Sequence, residues 1–226
     1  MSDPVVTLTH DPDERPDVAP GTTDLGRPTG WQHSRGLIFG EMLVFALLSL
    51  TAALVLSIEA ITLAADPSAQ LMCDVNAVLS CGTVGAAWQS ALLGFPNSFL
   101  GLIAEPVVIT IAVAALGGVR FPRWFLFSAQ VVYFLGVVLA YWLFYQSMFV
   151  IGALCPWCLL ITVATTLVFA SLLHWNVLED NLYLPARAQA RMLAFVRSGS
   201  YTYLTATWLV LLAIAIVAKY GAQLVA

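Results

Sequence analysis

From Gly36 onward the chain is a succession of long apolar runs separated by shorter polar gaps: Gly36–Ala65, Ser98–Leu116, Trp124–Ile151, Pro156–Trp175 and Tyr203–Ala222. A helix rising ~1.5 Å per residue needs about 20 apolar residues to cross ~30 Å of hydrocarbon. Lipid offers the backbone no hydrogen-bond partners, so segments of this kind must be helical. The pattern predicts an all-α integral membrane protein: a four-helix transmembrane bundle over residues 36–175, a polar loop over 176–202, and a fifth transmembrane helix within 203–226. Residues 1–35 are polar and rich in Pro, Asp, Thr and Gly, with no apolar period, and read as a disordered cytoplasmic tail. A secretory signal would carry an apolar core of about 7–15 residues near its start. Here a long polar stretch precedes a much longer apolar run, which reads as a retained spanning helix.

The widest gap inside the bundle is 66–97. Loops longer than about 12–15 residues usually carry function. Within Gly82–Leu93, Val84, Trp88, Ala91 and Leu92 recur at helical spacing, which predicts a short helix lying in the interface. Trp88 is then either a headgroup-level anchor or an ordinary aromatic packed on the bundle.

Composition agrees with a bilayer environment, at 60% hydrophobic and 10% charged residues. The net charge of −4 is no nucleic-acid signature, and six acids fall in the first 24 residues. Charge does set an orientation. Arg15, Arg27 and Arg35 precede the first run, Arg120 and Arg123 lie in the second gap, and Arg187, Arg191 and Arg197 lie in the fourth. These three places share one side of the membrane, and the excess of basic residues in cytoplasmic loops makes that side the cytoplasm. Segment 66–97 has no Lys or Arg and faces outward with Gly152–Cys155, and Lys219 alone lies near the outer surface.

All four cysteines then fall at the outer face, where disulfides persist. Cys155-Pro156-Trp157-Cys158 stands at the start of the fourth helix, with proline at a natural first-turn position. Cysteines at i and i+3 share a helix face and can bridge, and the positive helix start favours a thiolate at Cys155. The alternatives are a zinc half-site, which would need Cys73 and Cys81 to complete four sulfurs, and a static disulfide. Cys73 and Cys81 form a second pair across seven residues of the outer loop.

Asn97, just before the second run, is placed either to cap that helix or to present its amide to a ligand in the bundle. Glu105 lies inside the same run, before Pro106, as a proton carrier or a neutral hydrogen-bonded acid. Glu41 and Glu59 lie nearer the ends of the first run and are expected to reach interfacial water. His10, His33 and His174 are dispersed and suggest no metal site.

Taken together, Cys73-Asp74-x6-Cys81-Gly82, Pro96-Asn97-Ser98-x2-Gly101 and Cys155-Pro156-Trp157-Cys158 resemble, in order, the motifs of bacterial homologues of vitamin K epoxide reductase, over roughly residues 36–175. The resemblance implies a quinone (menaquinone or ubiquinone) bound between the helices near the outer surface, and disulfide formation coupled to its reduction. It further implies that Cys158 faces the quinone and Cys155 exchanges with Cys81. Cys73 would meet an exported thioredoxin-like (DsbA-like) thiol oxidase, and Asn97 would hydrogen-bond a quinone carbonyl. Two departures stand out. Thr162 occupies the position of a tyrosine found in vertebrate members, which removes one carbonyl contact. Many bacterial relatives continue into a fused thioredoxin-like domain after the fifth helix, whereas this sequence stops there, so the partner is expected to be a separate protein.

The leading expectation is a membrane thiol-disulfide oxidoreductase that reoxidises the exported partner and passes electrons to the quinone. The alternatives are a quinone or vitamin K epoxide reductase with no dedicated folding role, and a non-catalytic membrane scaffold with structural disulfides.

Overall fold

The computed structural model describes residues 31–76 and 78–224; most of the expected tail, 1–30, lies outside the described residues. Among the described residues seven α-helices follow one another: α1 Arg35–Ala65, α2 Cys81–Ala86, α3 Ser98–Leu116, α4 Arg123–Gln146, α5 Pro156–Leu178, α6 Ala186–Arg197 and α7 Ser200–Leu224. Five are long and apolar enough to cross a membrane: α1, α3, α4 with its continuation to Ile151, α5, and α7 over Ser200–Gly221. The protein is therefore an all-α, multi-pass membrane protein, and its spans match the apolar runs to within three residues at each end.

Local chemistry sets several helix ends. Ser34, with extended backbone, accepts from the Leu37 N–H at the start of α1. At the far end of α4 the helix widens into a π turn, Ser147–Ile151, which Gly152 closes at φ 78°. A left-handed residue of this kind favours glycine, and it turns the chain straight into Cys155 and α5.

Packing concentrates on α1, which lies against α3 and α5, while α5 also packs on α4. Lipid is as apolar as the side chains, so close van der Waals packing replaces the hydrophobic effect as the force between helices. Small residues accordingly line the seams: Ala46, Ala52, Ala53, Ala112 and Ala115 are all buried. The larger core residues Phe39, Met42, Ile111, Leu172 and Trp175 cluster at the end where α1 begins and α5 finishes. A cavity of about 370 Å³ lies at that end beside Ile38, Glu41 and Tyr201; the opposite end carries the cysteines and a wider one.

The structure refines three expectations. The 176–202 loop holds the amphipathic helix α6, whose Arg187 and Arg191 are exposed while Val196 is buried. The expected single interfacial helix is broken at Ala87, whose extended backbone separates α2 from a 3-10 turn, Trp88–Ala91. The break turns Gln89 inward to Gln146 while Trp88 stays exposed, edge-on to Trp142. Finally, the histidines are not all dispersed: His33 Nδ1 and His174 Nε2 lie 2.9 Å apart, both buried, because the chain entering α1 returns to the end of α5. His10 lies outside the described residues.

Candidate redox site

The segment after α1 is organised by two short polar side chains. Asn76 Oδ1 accepts from the N–H groups of Val78 and Leu79 at 2.9 and 2.8 Å, which makes a tight turn. The Asp74 carboxylate accepts from the Ser80 hydroxyl at 2.8 Å, the Gly82 N–H at 2.9 Å and the Leu71 N–H at 3.1 Å. Burial pushes the Asp74 carboxyl up, but these donors outweigh it and hold it below the usual carboxylate range. Glycine at 82 is what lets the carboxylate come so close, since a β-carbon there would sit 2.8 Å from Asp74 Oδ2.

A single parallel bridge pairs Leu79 with Leu154, through Leu154 N–H to Val78 O at 2.7 Å and Ser80 N–H to Leu154 O at 3.0 Å. It fixes the chain two residues before Cys81 and one residue before Cys155. The two sulfurs consequently meet: Cys81 Sγ lies 3.1 Å from Cys155 Sγ. Cys81 is bonded to Cys73, with α-carbons 5.6 Å apart, while Cys155 and Cys158 are free thiols. With two sulfurs joined to each other, the four do not form the tetrahedral thiolate set of a structural zinc site.

Cys155 caps α5, its sulfur accepting from the Cys158 N–H at 3.4 Å, and it is 1% exposed. Its thiol is held below the usual range, first by the Cys158 thiol donating to it; burial opposes this, and the N–H groups of Cys158 and Trp157 reinforce it. The favoured thiolate at the helix start therefore faces the sulfur that it would exchange with.

Sequence reasoning missed Glu59. It was expected to reach water, but it is 9% exposed, and its two carboxyl oxygens lie 3.3 and 3.4 Å from Cys73 Sγ. The outer segment folds back over the end of α1 and covers it. Nothing local in the sequence signals that contact.

Beneath the sulfurs lies a cavity of about 870 Å³, bordered by Cys81, Cys155, Cys158, Glu59, Asn97 and Glu105 and walled largely by apolar side chains from α1, α3, α4 and α5. Ligand pockets commonly hold ~300–1,000 Å³ with apolar walls and a few polar groups. Glu105 is buried at mid-depth and accepts from Ser49 at 2.7 Å and Tyr133 at 2.8 Å. Thr162 borders the cavity with its hydroxyl donated to Cys158 O at 2.9 Å.

Asn97 occupies the first position before α3, but its backbone is helical (φ −59°, ψ −24°) and its side chain makes no capping bond. The capping expectation is thus corrected. Its Nδ2 donates to Gln89 O at 2.6 Å and its Oδ1 accepts from the Leu92 N–H at 3.1 Å, stapling the 3-10 turn to α3. Gln89 Oε1, at the same rim, is buried with no hydrogen-bond partner among the described residues. An unpaired acceptor at the rim of a wide apolar cavity fits a bound flat molecule that offers it an O–H at its edge, as the reduced, hydroquinone form of a quinone does.

A model of the vitamin K epoxide reductase family matches residues 41–173. None of the curated proteins compared with the chain matches it.

Proposed function

Since the chain belongs to the vitamin K epoxide reductase family, we propose that it carries two electrons from an external dithiol through Cys73/Cys81 and Cys155/Cys158 to a membrane quinone, and so reoxidises an exported thioredoxin-like oxidase. The observation that carries this reading is the 3.1 Å approach of Cys81 Sγ to Cys155 Sγ. Thiol–disulfide exchange needs a thiolate in line with a disulfide sulfur, and this contact joins a disulfide to a reduced pair beside a quinone-sized cavity. A structural disulfide in a scaffold has no use for a third sulfur at that distance.

In this reading the partner attacks Cys73 and frees Cys81. Exposed apolar residues flank the entry point, Met72 at 98% and Val75 at 69%, and would give the partner its contact surface. Cys81 then attacks Cys155 of an oxidised inner pair and releases Cys158, which borders the cavity. When bound, a quinone supplies a two-electron, two-proton acceptor that leaves by diffusion in the bilayer. Asn97 and Gln89 would hold its edge, and the apolar walls would keep water from the reduced sulfurs. The distribution of basic residues supports a topology with the N-terminus in the cytoplasm and the sulfurs outside, on the side of an exported partner.

The test is oxidation of a reduced, exported thioredoxin-like dithiol protein by this protein in proteoliposomes with and without ubiquinone or menaquinone. Quinone-dependent oxidation by the wild type, abolished in Cys158→Ser, is the expected result. Oxidation at the same rate without quinone, or in Cys158→Ser, would refute the reading.

A further inference from the structure

We propose that Glu59 is the acid–base group of the outer cysteine pair: it takes the proton from the Cys73 thiol when Cys73 attacks Cys81, and returns it when Cys73 is displaced. This inference rests on the relay proposed above and adds to it the route of one proton.

Three observations carry it. Both Glu59 oxygens reach Cys73 Sγ, at 3.3 and 3.4 Å, and no bonded group intervenes. In the bonded Cys73–Cys81 pair that sulfur bears no hydrogen. A hydrogen bond between these atoms requires the carboxyl O–H to donate to sulfur, so an oxidised Cys73 is matched by a neutral Glu59. Finally, Glu59 sits in the sulfur cluster rather than at its rim. The ionisable groups that act on it are Asp74 from the outer segment and Cys155 and Cys158 from the start of α5.

Those neighbours explain the direction of transfer. Asp74 is held as an anion by three donors. When Cys73 closes on Cys81, Cys155 is released as a thiolate at the helix start. An ionised Glu59 would then face two further negative charges in a poorly solvated site, and a protonated one relieves that repulsion.

The proton on Glu59 returns to its starting place in each turn. Cys81 joins Cys155 by attack on the oxidised inner pair, releasing Cys158, and the quinone proposed above takes the two electrons and restores that pair. With Cys81 and Cys155 joined, the Cys73 S–H gives its proton to the Glu59 carboxylate. Its sulfur attacks Cys81 Sγ, the Cys73–Cys81 bond forms, the Cys81–Cys155 bond breaks, and Cys155 leaves with the electron pair. In the other half, a partner thiolate attacks Cys73 and releases Cys81 as thiolate. The second partner thiolate then attacks its own sulfur in the mixed disulfide. Cys73 leaves with the electron pair and takes the proton back from Glu59, while the partner becomes the disulfide.

The test compares the wild type, Glu59→Gln and Glu59→Asp in proteoliposomes, with dithiothreitol as donor and a short-chain ubiquinone as acceptor. Samples are quenched in acid, alkylated and mapped as peptides without reduction. General acid–base groups contribute ~10²–10⁴-fold, so Glu59→Gln is expected to turn over about 100-fold more slowly at neutral pH and to accumulate the Cys81–Cys155 bond. Both defects should shrink as pH rises, because hydroxide then removes the Cys73 proton unaided. Glu59→Asp should keep the wild-type pH response with a smaller loss. Wild-type turnover in Glu59→Gln would overturn the proposal. So would an equal loss at every pH with no Cys81–Cys155 bond accumulating, which is the signature of a merely structural carboxyl. If the wild type itself passes no electrons to quinone, the proposed function fails. Glu59 is then judged separately on the interconversion of the Cys73–Cys81 and Cys81–Cys155 bonds after a pH jump in a Cys158→Ser background, which needs no quinone. Slowing there in Glu59→Gln supports the proposal, and an unchanged rate refutes it.

Discussion

Gly101 on α3 faces Ala53 on α1 so closely that a β-carbon at 101 would lie 2.8 Å from the Ala53 β-carbon. Carbon atoms in contact rest at about 3.5–4.0 Å, so Gly101→Ala must drive the two helices apart by about 1 Å. Two hydrogen bonds cross the same seam, Ser57 to Ser98 at 2.9 Å and Ser49 to Glu105 at 2.7 Å. A further ångström carries both past the usual O–H···O range of about 2.5–3.0 Å. Overpacking costs about 1–3 kcal/mol and the two weakened bonds about 1 kcal/mol each, while alanine gains about 1 kcal/mol over glycine in a helix. The net expectation is a loss of about 2–4 kcal/mol. Equilibrium unfolding of the purified protein in mixed micelles, followed by circular dichroism, measures it. Ala53→Gly removes the opposing methyl group and alone costs about 1 kcal/mol in helix propensity, so the double variant Ala53→Gly/Gly101→Ala should return to within about 1 kcal/mol of wild type, giving a coupling energy of about 3–5 kcal/mol. Unchanged stability in Gly101→Ala would refute the reasoning, as would a double variant no better than the single one. Gly101 also borders the cavity, so the single variant should lose quinone reduction before it loses secondary structure.

Cys73→Ser/Cys158→Ser should collect a Cys81–Cys155 bond on mild oxidation, since the sulfurs are at 3.1 Å and a bonded pair needs about 2.05 Å; free Cys81 and Cys155 on non-reducing peptide mapping would reverse the relay order. Asn97→Ala loses both bonds of its staple, about 1 kcal/mol each, and should lower quinone reduction several-fold while exchange between the cysteine pairs continues. Serine is too short to span Gln89 and Leu92, so Asn97→Ser should behave as alanine does, and full quinone reduction in that variant would count against the staple. Because the folded Asp74 carboxyl is held below its usual range, its contribution to the outer segment is complete above the ordinary carboxylate value of about 3.9 and disappears as pH falls through the lowered folded value. Proteolysis of segment 66–97 should therefore rise in acid in the wild type, and Asp74→Asn should lack that part of the acid response. In intact cells, after reduction, membrane-impermeant thiol reagents should label Cys73 or Cys81 from outside; labelling only from the cytoplasmic side would invert the topology.

Much of the site was legible as a set of residues but not as an arrangement. The motifs in the outer loop, before α3 and at the start of α5 named the four cysteines and Asn97, and the resemblance they carry implied an exchange between Cys81 and Cys155, without giving the distances or the contacts that hold them. Asn97 illustrates the limit: its position before a helix suggested a cap, yet the contact that it makes is with a turn eight residues upstream. Glu59 is the larger omission. A glutamate two turns from the end of an apolar helix looks like an interfacial residue, and only the return of the outer segment over α1 buries it against sulfur. His33 and His174 were hidden in the same way, 141 residues apart in sequence and 2.9 Å apart in space.

The sequence by itself determined the spans, because a bilayer forces any sufficiently long apolar run into a helix, and that rule is local. It likewise determined the helix start at Cys155, the proline after it, and the glycines whose missing side chains the turns and seams require. The resemblance implied that Cys81 exchanges with Cys155, but the tertiary structure alone decided how the two sulfurs come to lie 3.1 Å apart. That outcome depends on one bridge between Leu79 and Leu154, on the three bonds that Asp74 accepts, and on the close seam of α1 with α3. Contacts of this kind join residues far apart in the chain, and no local spacing encodes a distance between elements that only packing brings together.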